Sequence, residues 1–81
     1  MINVIFFASL REALGTAAIQ WPAGAVDIHT LTGQLCAQGE PWASALARHD
    51  LLCARNQQLC DRTESVQDGD EIAFFPPVTG G

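Results

Sequence analysis

The chain has 81 residues, enough for one small domain and too few for two. Apolar residues make up 48% and charged residues 16%, so the composition supports a collapsed core rather than disorder. Nine acidic residues oppose four basic ones, all arginines (Arg11, Arg48, Arg55, Arg62), for a net charge of −5. Scattered arginines in an acidic chain do not neutralise phosphates, which excludes a nucleic-acid partner and an anionic membrane surface.

No apolar run approaches the length of about 18 residues that a bilayer span needs. The opening stretch lacks the basic segment and small-residue cleavage site of a secretory signal, so a cytoplasmic protein is expected. The chain contains no lysine, and a nucleotide phosphate loop needs one after its glycines. The seven glycines form no dinucleotide fingerprint either. Cys36, Cys53 and Cys60 are odd in number and include no Cys-x-x-Cys, which suggests neither a disulfide framework nor a zinc site. They read as packed thiols in a reducing compartment. A catalytic thiol helped by His29 or His49 is the sharper alternative, with no flanking pattern behind it.

In chain order, Ile2 to Ala8 is expected to be a strand, apolar on both faces and therefore central in its sheet. Ser9 and Glu12 have the spacing of a capping box, with Gly15 placed to end a short helix. Ala17 to Trp21 reads as a second strand, closed by Pro22 and Gly24. Asp27 is a candidate N-cap for a helix whose apolar face is Ile28, Leu31, Leu35 and Cys36, with Gly33 in its middle and Gly39 ending it. Pro41 suits the first position of another helix carrying Trp42, Ala45 and Leu46. Leu51 to Arg55 and Gln58 to Cys60 read as strands joined at Asn56-Gln57, and Glu71 to Phe75 as the last strand after a turn at Asp68-Gly69. Trp21 and Trp42 read as packing residues. Asp61, Glu64, Asp68, Asp70 and Glu71 do not match a calcium loop and are read as a solvated face and turn residues. No metal site is expected.

The helices cluster in the middle of this order and the strands lie at both ends. That favours an α+β fold, one sheet covered on one face by helices, with the first and last strands side by side. If Ile72 and Phe74 face the helices, Phe75 points to the opposite face, and Phe7 shares it. With Leu59 nearby, they form a candidate apolar patch at the root of the tail, and such patches mark interfaces. The alternative is cover by a loop of the same chain. Arg11 is a further candidate, for pairing with an acidic group on a partner or simply for solvation.

Pro76-Pro77 stops the last strand and starts a stiff extended segment, followed by Val78-Thr79-Gly80-Gly81. Six residues reach at most about 20 Å. We therefore expect a domain over residues 1–75 and a tail over residues 76–81 that delivers a terminal carboxylate into a narrow site. Glycine at the end leaves the carboxyl carbon open to attack.

The run Gly69-Asp70-Glu71-Ile72-Ala73-Phe74-Phe75-Pro76-Pro77-Val78-Thr79-Gly80-Gly81 closely resembles the C-terminus of molybdopterin synthase small subunits, which are ubiquitin-like sulfur carriers. Ile5-Phe6-Phe7-Ala8 with Arg11-Glu12 and Gly15 looks like the same family, as does Leu51-Leu52-Cys53-Ala54 with Asn56-Gln57. The resemblance implies the ubiquitin-like β-grasp fold, with a mixed sheet of about five strands. It implies that Gly81 is adenylated by an activating enzyme that uses ATP and Mg, then converted to a thiocarboxylate, with Gly80 as clearance behind it. It further implies that a large catalytic subunit receives the loaded tail, where sulfur passes to cyclic pyranopterin monophosphate. This chain would bind no cofactor itself and would not be catalytic alone. The tail chemistry alone also fits carriers for thiamine biosynthesis or tRNA thiolation, and a protein modifier that forms isopeptide bonds.

Overall fold

A computed structural model describes residues 1–77. Five strands and three helices follow in the order β1 (Ile2–Phe6), α1 (Ser9–Leu14), β2 (Ala18–Trp21), α2 (Ile28–Cys36), α3 (Trp42–Leu46), β3 (Leu52–Arg55), β4 (Gln58–Cys60) and β5 (Glu71–Phe75). The strands form one mixed sheet in the order β2-β1-β5-β3-β4. β1 and β5 pair in parallel, with Val4 opposite Ile72 and Phe6 opposite Phe74. The other pairings are antiparallel. The two most apolar strands are thus the sheet's centre, as their composition implies.

One face of the sheet carries the core. Ile2, Val4, Phe6, Cys53, Ile72 and Phe74 point into it and meet Ile28, Leu31 and Leu35 of α2. α2 begins as its sequence predicts: the Asp27 side chain accepts a hydrogen bond from the Thr30 amide at 2.7 Å. Burying Ile28, Leu31 and Leu35 anchors the helix, and each such side chain is worth about 2 kcal/mol. Trp42 packs edge-on to Phe6 with ring centroids 5.6 Å apart, and Trp21 donates its indole N–H to Gln34 at 2.9 Å.

Several local expectations are corrected. β1 ends at Phe6, because the chain turns at Ala8 through φ 54°. That turn leads directly into α1, so Ser9 is already the first helical residue and makes no capping box with Glu12. The Ser9 hydroxyl instead accepts from Arg48 at 3.2 Å. α2 stops at Cys36, before Gly39, and Pro41 is the cap of α3 rather than its first residue. Asp70, read as a solvated turn residue, is 8% exposed. The Asn56-Gln57 turn has φ 50° and 71°, the paired positive values of a tight two-residue hairpin.

Candidate functional site

The last strand, β5, ends in the middle of the sheet. β5 has β1 on one side and β3 on the other, and its last residue, Phe75, stands opposite Leu52. Phe74 fills the core on one face, so alternation turns Phe75 to the other. Phe7 lies on that same open face. Its amide donates to the Phe74 carbonyl at 3.2 Å, continuing the parallel ladder past the end of β1. The two rings meet edge to face with centroids 6.5 Å apart.

The face continues sideways. Ala73 and Ala54 are opposed across β5 and β3, and Ala54 opposes Leu59 across β3 and β4. Phe7 (47% exposed), Leu52 (39%) and Leu59 (70%) are three of the five large apolar side chains most open to solvent. All three lie on this one face. Ile5 and Ala73 sit half-buried at its middle. The small Ala54 and Ala73 make a shallow floor, with Phe7, Phe75 and Leu52 rising on the tail side and Leu59 on the edge strand. Leu52 is the residue that sequence reasoning missed. Its signal was present: if Cys53 packs inward, Leu52 must point outward.

Arg11 is exposed on α1, four residues beyond Phe7, with no ion pair among the described residues. Arg48 does form one. Its guanidinium grips both carboxylate oxygens of Asp50, at 3.0 and 2.8 Å, and also reaches Ser9. The Ser9 contact ties the start of α1 to the segment leading into β3, and the fork–fork contact with Asp50 orients the guanidinium that makes it. His29 and His49 are both exposed, the first on α2 and the second in the turn between α3 and β3. Gly80 and Gly81 lie outside the described residues.

At the far end of β5 a polar network fixes the strand. The Asp70 carboxylate accepts from Arg55 Nε at 2.8 Å, the Gln67 amide at 2.8 Å and Asn56 Nδ2 at 3.1 Å. Asn56 Oδ1 in turn accepts from the Glu71 amide at 3.0 Å. Burial pushes the Asp70 carboxyl upward, but the hydrogen bonds from Gln67, Asn56 and Arg55 outweigh it and hold it below its ordinary value. Arg55 also contacts Glu64 at 3.3 Å. β5 is therefore pinned where it begins and open where it ends.

These features define a ubiquitin-like β-grasp protein with an exposed apolar face beside the end of its last strand. Among solved structures the fold is shared with SAMP1 from Haloferax volcanii, with TM-score 0.78 and 23% identity, covering 99% of this chain and 98% of that one. It is shared as well with a chain of the complex of subunits 1 and 2 of molybdopterin-converting factor from Helicobacter pylori. There the TM-score is 0.70 and the identity 27%, covering 99% and 97% of the two chains.

The model of the ThiS family matches residues 4–81. The molybdopterin synthase sulfur carrier subunits of Haemophilus influenzae and Escherichia coli are each 47% identical over 81 residues, covering 100% of both chains in each comparison. The chain belongs to the ThiS family and to the family of molybdopterin synthase sulfur carrier subunits.

Proposed function

We propose that this chain is the sulfur carrier subunit of a molybdopterin synthase, acting through its last residue and not catalytic alone. The observation that carries the reading is identity of 47% along the whole length of proteins bearing that name. The chemistry follows from the terminal group. A chain-end carboxylate has a pKa of about 3.3, so at neutral pH it is an anion and a poor electrophile. It gains a leaving group when the Gly81 carboxylate attacks the α-phosphorus of ATP on an activating enzyme, releasing pyrophosphate. Sulfide-level sulfur, HS− from the donor, then attacks the acyl carbon, expels AMP, loses its proton and leaves a thiocarboxylate. The large subunit takes the loaded tail, and sulfur passes to cyclic pyranopterin monophosphate. Two such transfers build the dithiolene.

In this reading ATP and Mg serve the activating enzyme, and this chain binds no cofactor. Gly80 lets the backbone pass the constriction behind the reacting carbon. Phe7, Leu52, Leu59 and Phe75 form the surface that both partners use in turn, and Arg11 lies at its margin as a charge for an acidic partner group. The open apolar face supports this, since large exposed apolar surface marks an interface. We place the reaction in the cytoplasm, in keeping with three free cysteines and with no described helix long and apolar enough to cross a membrane.

The test is the intact mass after incubation with ATP, Mg, the activating enzyme and a sulfur donor. One sulfur-for-oxygen exchange on the peptide containing Gly81 is expected. Deletion of Gly81 should abolish it, whereas replacing all three cysteines should not. Sulfur found on a cysteine instead would overturn the reading.

A further inference from the structure

The β3–β4 hairpin places Cys53 directly opposite Cys60. Opposed residues of an antiparallel pair have Cα atoms about 4.5–5.5 Å apart. A disulfide spans Cα separations of about 4.4–6.8 Å. The two side chains share the helix-facing side of the sheet. The Cys53 thiol already lies against its neighbour, donating to the Cys60 carbonyl at 3.3 Å. Neither sulfur is bonded to another, and Cys36 belongs to a different element, the end of α2.

The two thiols differ in access. Cys60 is half-buried on the edge strand and lines an open cleft of about 320 Å³ with Arg55, Asn56, Gln58 and Glu64. Cys53 is 2% exposed, and burial with the neighbouring Cys60 pushes its thiol up to about 11. Cys60 is the more open of the two residues, and Cys53 stands behind it in a cross-strand register that a disulfide can span. That is the arrangement of an attacking and a resolving cysteine.

We propose that Cys53 and Cys60 are a redox modification site, closed to a cross-strand disulfide by low-molecular-weight disulfides of the glutathione class. The Cys60 thiolate attacks the oxidant's S–S bond, forms a mixed disulfide and expels one thiolate. The Cys53 thiolate then attacks the Cys60 sulfur and expels the second. The two protein thiols lose two protons and two electrons, and the oxidant takes both to become two thiols. The bond clamps the edge hairpin whose opposite face carries Leu52 and Leu59, fixing their spacing. This inference stands apart from the sulfur-carrier reading, because it needs neither Gly81 nor a partner protein.

The test uses the full chain, oxidised glutathione, alkylation of remaining thiols and trypsin. Cleavage after Arg48, Arg55 and Arg62 separates Cys53, in residues 49–55, from Cys60, in residues 56–62. Expected are a loss of two hydrogens from the intact mass, these two peptides linked to each other, and Cys36 alkylated. Amide exchange in β4 should slow in the oxidised form. In Cys60→Ser, which changes only a half-buried edge position, oxidation at Cys53 should be slower by about tenfold or more. A lasting glutathione adduct on Cys60, a linkage through Cys36, or oxidation of Cys53 at an unchanged rate in Cys60→Ser would overturn the proposal.

Discussion

Leu52 stands directly opposite Phe75, so the first residue of β3 and the last of β5 pair at the point where β5 ends. Both point away from the core, and Phe7 closes the group from the other side of β5. A partner that grips this trio fixes the origin of the tail.

Phe7→Ala and Leu52→Ala should each raise the Kd for the large subunit about tenfold, equivalent to ~1.4 kcal/mol. Each side chain is partly covered, and Phe7 packs on Phe75, so melting temperature should fall by only about 5 °C or less. Titration calorimetry beside thermal melts checks this. A melting temperature that falls while Kd holds would show that the face stabilises the domain rather than docks it.

Asp70 makes stability depend on pH with a definite sign. Its carboxyl titrates lower in the folded chain than in the unfolded one. Between those two values the unfolded chain binds more protons, so stability rises with pH. The contribution is complete above the unfolded value of about 3.9 and is lost as pH falls through the folded one. Urea midpoints should fall more steeply below about pH 4 in the natural chain than in Asp70→Asn. At neutral pH, Asp70→Ala should cost about 2 kcal/mol by leaving Arg55 and the Gln67 amide without their acceptor.

Gly33 lies on the exposed side of α2, and a Cβ added there meets nothing within 4 Å. Gly33→Ala should therefore stabilise by up to about 1 kcal/mol through helix propensity alone. For a domain of this size that shifts the melting temperature by roughly 4–8 °C. Differential scanning calorimetry reads it directly.

Asp27 and Ser9, the two residues the sequence offers as helix caps, behave differently. Asp27→Ala removes an actual N-cap and should cost about 1 kcal/mol. Ser9→Ala removes only an exposed hydrogen bond from Arg48 and should cost less than about 0.5 kcal/mol. Chemical denaturation of both variants would expose a hidden capping role for Ser9 if their losses were equal.

The strands were legible because apolar composition and turn chemistry agree on them. Ile2-Asn3-Val4-Ile5-Phe6 and Glu71-Ile72-Ala73-Phe74-Phe75 bury alternate residues completely, and Asn56-Gln57 occupies two positive-φ positions. The cap at Asp27 was legible for the same local reason. The start of α1 was not. A capping box is a pattern of residue types, whereas Ala8 turns the chain by a backbone conformation that no residue type announces. Asp70 was hidden because Arg55 and Asn56 reach it only once β3 and β5 pair, the Gln67 amide being its one local partner. Charges in a run near a glycine turn look solvated until the sheet forms over one of them. The open face was half-visible: Phe7 and Phe75 follow from alternation, but Leu52 joins them only through the β3–β5 register.

The parallel pairing of β1 with β5 also has a mechanical meaning. A partner drawing the tail along the axis of β5 strains the hydrogen bonds to β1 and β3 together, because those bonds run across the direction of pull. They must slip as a group and cannot peel apart one at a time. A load applied at the end of β5 therefore meets a body that resists being unravelled from that side.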